Sequence, residues 1–175
     1  RMFAYITLFI LVMLFSLLVM NQDYVQLNIT SRKCWKVRTR QQVCNIWAAA
    51  AIFLLLAAVS ACRIAVGNDY WVYRDNFKLI MQERHVSYEL GFNLVVWVIQ
   101  SLFGYDNYLP VFGFFSVVTC FFFVKAMYDQ GEWFAGSVFL LMTGGYYYSS
   151  LNSVRYYFAL AVALYAMKYV LRKQY

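Results

Sequence analysis

The sequence has little charge, one proline and few glycines. Charged residues make up 13% of its 175 positions, with one proline, eight glycines and one histidine. So low a charge excludes an ordinary soluble domain of this size, whose composition is about one-quarter charged. A single proline and few glycines also exclude a β-barrel, which shows alternation and many turns. The four cysteines, Cys34, Cys44, Cys62 and Cys120, have no metal-ligand spacing, so neither zinc nor disulfides are expected. No phosphate-binding loop, dinucleotide fingerprint or nucleophile elbow is present. His85 stands apart from any Cys, His or carboxylate pattern and reads as a surface residue.

What is present is apolar: 63% of the residues are hydrophobic and 21% aromatic. The expected fold class is all-α, a polytopic membrane protein forming a single transmembrane domain over residues 1–175. Five spans are expected, over residues 3–20, 46–66, 108–124, 133–148 and 156–171. The first, as an uncleaved helix, rises roughly 27 Å, close to the hydrocarbon thickness. Basic residues set the orientation. Arg32, Lys33, Lys36, Arg38 and Arg40 crowd the first loop, Lys125 ends the third span, and Lys168, Arg172 and Lys173 close the last. The positive-inside rule then places the N-terminus outside and the C-terminus inside. The net charge of +7 is thereby used as a topology signal, and no nucleic-acid partner is expected.

Residues 67–107 form an elaboration on the outer face, expected as two juxtamembrane helices. In the first, Tyr73, Phe77, Ile80 and Met81 recur at helical spacing against Arg74, Lys78, Gln82 and Glu83. That pattern predicts an amphipathic helix lying on the membrane surface. The second, residues 90–103, is apolar but short for a span and is bounded by Gly91 and Gly104. The chain begins with Arg and stops just after a helix, which predicts the N-terminal part of a longer protein.

Polar residues gather where the second span meets the outer face: Arg63, Gly67, Asn68, Asp69, Tyr70 and Tyr73. Charges at a bilayer edge are costly unless paired or working on something. The topology puts Arg63, Asp69, Glu89 and Arg155 at one outer level, from three separate parts of the chain. Arg63 and Arg155 suit a phosphate, because guanidinium offers several donors in a fixed fork. Asp69 can accept a proton from a sugar hydroxyl. Tyr70, Tyr73 and the run Tyr146-Tyr147-Tyr148 can stack on sugar rings. Each has a plainer alternative. Arg63 and Asp69 can pair to cap a helix, Arg155 can snorkel, Glu89 can cap a loop, and tyrosines form interfacial belts.

The order of these motifs carries a resemblance. Arg63-Ile64-Ala65-Val66-Gly67-Asn68-Asp69-Tyr70-Trp71-Val72-Tyr73 resembles the signature of the EpsG family of exopolysaccharide polymerases. Asn152-Ser153-Val154-Arg155-Tyr156-Tyr157-Phe158-Ala159 is similar to that family's Asn-x-x-Arg-Gln-x-x-Ala segment, with Tyr156 where Gln is usual. Glu89-Leu90-Gly91-Phe92 is a third, weaker landmark. The layout also resembles the wider GT-C class of membrane glycosyltransferases. The resemblance implies a Wzy-like polymerase joining polyprenyl-pyrophosphate-linked oligosaccharides on the outer, periplasmic face of a bacterial inner membrane. Asp69, Arg63 and Arg155 are the expected catalytic residues. Tyr70, Tyr73, Glu89, Asn152 and Tyr156 are the expected substrate contacts. No metal site or resident cofactor is expected, although Asp69 could hold a divalent cation. Partners would be the lipid-linked glycan, membrane lipid and other polysaccharide synthesis or export proteins. The alternatives are another GT-C lipid-linked glycosyltransferase or ligase, or a non-catalytic membrane assembly subunit. A transporter fits less well, because the charges gather at one face rather than at mid-membrane.

Overall fold

The computed structural model describes residues 2–20, 39–62, 69–81, 89–104, 107–130 and 133–171. Arg63, Gly67, Asn68, His85, Arg172, Lys173 and the basic residues of 21–38 lie outside them. The described residues are all-helical, in the order α1 (Met2–Leu17), α2 (Arg40–Ala61), α3 (Tyr70–Met81), α4 (Leu90–Phe103), α5 (Leu109–Gln130), α6 (Phe134–Thr143), α7 (Tyr146–Ser150) and α8 (Val154–Leu171). Among the described residues, two stretches, Arg40–Ala61 and Leu109–Asp129, are long and apolar enough to cross a membrane.

Helix α1 ends at Leu17, three residues before the expected 20, and α8 starts two residues early; three larger differences from the sequence-based expectation have local causes. Helix α2 starts at Arg40, six residues before the expected 46, because Thr39 and Gln42 form a capping box. The Gln42 N–H donates to the Thr39 hydroxyl (3.2 Å) and the Thr39 N–H to Gln42 Oε1 (3.1 Å), satisfying two helix-end donors. One turn on, Asn45 Nδ2 donates to the Met20 carbonyl at 2.6 Å and its Oδ1 accepts the Met20 N–H. The end of α1 is thus clasped to the start of α2. Helix α5 continues past Lys125 to Gln130. It can do so because Lys125 pairs with Asp129 one turn later (2.7 Å) and Lys168 of α8 joins the same carboxylate (3.1 Å).

The third difference is a break. Residues 133–148, expected as one span, divide into α6 and the single-turn α7. Gly144 closes α6, its N–H donating to the Leu140 carbonyl at 2.9 Å. Gly145 then takes φ +76°, a left-handed conformation that side-chain-bearing residues rarely adopt. The ten residues of α6 rise about 15 Å, half the hydrocarbon thickness.

Helix directions follow from ring contacts. Phe53 of α2 meets Phe121 of α5 (6.1 Å), and Ala61 lies beside Gly113, so α2 and α5 are antiparallel. Phe115 meets Phe158 (5.6 Å) and Phe122 meets Tyr165 (5.3 Å), so α5 and α8 run parallel with aligned starts. The main core joins α1, α2, α5, α6, α7 and α8 through Val12, Ile52, Leu56, Phe123, Val138, Tyr147 and Ala161.

A second core holds α3 and α4 against the start of α5. Tyr73, Phe77, Phe92, Val96, Phe112 and Phe115 are buried there. The predicted amphipathic period of α3 is present: Tyr73 and Phe77 are buried and Lys78 is exposed. Its apolar stripe, however, is covered by α4 and α5 rather than left for lipid. Each such ring buried is worth about 1.5–3 kcal/mol, more than the surface of a short helix gains from propensity. Helix α4 covers the expected residues, and Gly104 ends it at φ +99°. The opposite side of α4 exposes Leu94, Trp97 and Val98.

Candidate functional site

The second core brings three helix starts to one end of the bundle: α3, α4 and α8. Asp69 immediately precedes α3, and its carbonyl accepts the Tyr73 N–H at 2.9 Å. The Asp69 N–H donates to Asn152 Oδ1 at 3.2 Å, and the Ser153 hydroxyl donates to Asp69 Oδ2 at 3.3 Å. A segment just before α8 therefore holds both the backbone and the carboxylate of a residue more than eighty positions earlier.

Arg155 lies two residues beyond Ser153, in the first turn of α8. Its guanidinium forms an ion pair with Glu89, the residue that precedes α4. The guanidinium carbon also sits 5.7 Å from the centre of the Phe92 ring, within cation–π range. The Glu89 carboxyl is held below its ordinary pKa, first by its own backbone N–H and then by the Arg155 guanidinium.

Between α4, α5 and α8 lies a cavity of about 750 Å³. Phe92, Val95, Phe114, Phe115 and Phe158 give it apolar walls, and Glu89, Ser153, Arg155 and Tyr156 give it a polar rim. An apolar interior with a few convergent polar groups is the usual form of a small-molecule site.

The sequence-predicted residues fall into separate groups here. Glu89, Arg155, Tyr156 and Tyr73 line the cavity. Asp69 and Asn152 stand behind Ser153, joined to the rim through it. Tyr70 is buried and stacks on Phe112 with ring centres 5.0 Å apart. Tyr156 is 63% exposed, edge-on to Tyr157. Arg63 lies outside the described residues.

The tyrosine run is engaged elsewhere. The buried Tyr147 hydroxyl donates to the Leu56 carbonyl at 2.9 Å, and Tyr148 reaches the Tyr5 carbonyl. Helix packing, not a sugar ring, uses those two side chains. Sequence reasoning missed Ser153 and Phe92. Both sit inside quoted motifs, beside Arg155 and Glu89, and that adjacency was the available signal. Among the described residues, no three His, Cys, Asp or Glu side chains gather as a metal cluster.

The comparison with known families bears on the same residues. The model of the EpsG family matches residues 46–175, which include every helix that builds the cavity. The chain belongs to the EpsG family. No curated protein and no solved structure matches it. EpsG proteins are associated with glycosyl polymerase activity in exopolysaccharide synthesis. This EpsG-family chain, with its apolar helices, is a membrane protein.

Proposed function

We propose that this EpsG-family chain carries the outer-facing site of an exopolysaccharide polymerase. Its substrates would be oligosaccharide repeat units on polyprenyl pyrophosphate, at the outer face of a bacterial inner membrane. The observation that carries the reading is the composition of one cavity, with aromatic walls for a prenyl chain and Arg155 at the rim for its pyrophosphate. Guanidinium binds phosphate oxygens bidentately and stays charged. The exposed apolar side of α4, with Leu94 and Trp97, suits contact with lipid beside that cavity.

In the proposed reaction, the terminal hydroxyl of one lipid-linked glycan loses its proton to the Asp69 carboxylate. Its oxygen bonds to the anomeric carbon of the second glycan, whose bond to pyrophosphate breaks. The departing pyrophosphate takes the electron pair, and Arg155 and Arg63 stabilise the charge it gains. Ser153 and Asn152 orient Asp69. Tyr73 and Tyr156 contribute apolar and hydroxyl contacts to the bound glycan. A divalent cation at Asp69 would meet one carboxylate and the Ser153 hydroxyl, so substrate phosphates would have to complete its shell.

The five-span arrangement, with α6 and α7 together as its broken fourth crossing, and the kinship with GT-C glycosyltransferases belong to the same proposal. The antiparallel order of α1, α2 and α5 and the aligned starts of α5 and α8 support it. The test is a reaction of purified protein with lipid-linked repeat units, read as products resolved by size. A ladder of lengths is expected, lost in Asp69→Asn while that protein remains folded and membrane-inserted. A single added unit would indicate a transferase or ligase instead. Normal ladders from Asp69→Asn would make Asp69 structural.

A further inference from the structure

The Glu89–Arg155 ion pair crosses the rim of the cavity, and its two partners are unequally placed. The Glu89 side chain is 66% exposed, against 29% for Arg155. The carboxylate can therefore leave for solvent with little desolvation change, while the guanidinium stays seated. Two further features keep Arg155 in place when Glu89 departs. Its guanidinium lies over Phe92, and Phe92 is itself stacked on Phe115 with ring centres 4.8 Å apart.

Glu89 does not cap its own helix through its side chain. It is the residue before α4, yet its side chain makes no capping hydrogen bond. Releasing the carboxylate gives up its contact with its own N–H but no cap of the helix. What the pair does is join the start of α4 to the first turn of α8, over the space between them. Gly91, in that first turn of α4, borders the cavity, and a Cβ added there would meet nothing within 4 Å.

We propose that Glu89 is a built-in competitor for the anion position on Arg155, and that its pairing closes the cavity rim until a diphosphate displaces it. This rests on the reading of Arg155 as the pyrophosphate contact. A diphosphate carries more charge than one carboxylate and can engage the guanidinium fork with two oxygens. Displacing Glu89 frees the start of α4 from the ion pair while Phe92 of α4 stays beneath Arg155, so the rim loosens most for a ligand that can take the carboxylate's place. An uncharged prenyl alcohol gains nothing from the freed guanidinium to offset that opening cost. The gate thus selects against apolar lipids that would otherwise fill an aromatic-walled cavity in a membrane.

An exposed ion pair is only modestly populated over its open form, so the affinity penalty imposed by the gate should be roughly two- to fivefold. The test uses the full chain in detergent, with geranylgeranyl diphosphate and geranylgeraniol as probes and binding as readout. Glu89→Gln should tighten diphosphate binding by that factor and strengthen alcohol binding by a similar one. Hydrogen exchange should show the first turn of α4 becoming less protected when diphosphate is added. In Glu89→Gln that turn should start less protected and respond little. Arg155→Gln should lose the preference for diphosphate over alcohol. If Arg155→Gln loses it but Glu89→Gln binds unchanged or more weakly, the gate is wrong and the pyrophosphate contact survives. If Arg155→Gln leaves the preference intact, both fall.

Discussion

The Tyr147 hydroxyl in α7 donates a hydrogen bond to the Leu56 carbonyl in the last third of α2, 91 residues earlier in the chain. The Tyr147 side chain is 1% exposed, so the bond is made in the dry interior of the bundle. It fastens the one-turn helix, which follows the break at Gly145, to the helix that leads toward the site. Tyr147→Phe removes the bond and keeps the ring. A loss of about 0.5–1.5 kcal/mol is expected, read as a lower unfolding temperature in detergent. Tyr147→Ala also empties the ring's space and should cost about 3–5 kcal/mol.

The Glu89–Arg155 pair makes the attachment of α4 sensitive to acid. Glu89 has a lower pKa folded than unfolded. Its contribution is therefore complete above the ordinary Glu pKa of about 4.3 and is lost as pH falls through the lower folded value. Between pH 5 and pH 8 this pair should add no slope to stability. Below that range, protection of the first turn of α4 in hydrogen exchange should fall. In Glu89→Gln the same turn should lack this step.

Arg155→Lys tests the fork rather than the charge. Lysine keeps one positive charge but cannot bind two phosphate oxygens in a plane. Losing one charged hydrogen bond costs about 1.5–3 kcal/mol, or roughly a ten- to hundredfold fall in polymerisation rate. Full polymer length in cells carrying Arg155→Lys would remove Arg155 from the mechanism.

Parts of this architecture were legible in the residues alone. Helices α3 and α4 were readable because apolar spacing and a flanking glycine act locally, and Gly104 does close α4. The start of α2 was not, because Arg40, Gln41 and Gln42 look like loop until Thr39 and Gln42 are seen to cap each other. The break at Gly144-Gly145 was hidden by three tyrosines that continue the aromatic pattern without a gap. At the candidate site, the charge-derived topology suggested that Glu89 and Arg155 share a level. It gave no sign that they touch, nor that Ser153 links Asp69 to the rim. Those contacts depend on the stacking of α3 and α4 upon α5, which no local pattern encodes.

Helix α8 is held at both ends. Near its start Phe158 packs on Phe115, and near its end Lys168 pairs with Asp129 of α5. The thirteen residue steps from Arg155 to Lys168 span about 20 Å of helix. Axial sliding of α8 would have to break the far ion pair and unseat the ring together. The depth at which the guanidinium sits at the cavity rim is thus fixed from the opposite end of the helix. Inserting one residue between them would turn Arg155 about 100° away from the rim while leaving every side chain of the site intact. The helix serves as a gauge of length as much as a carrier of one arginine.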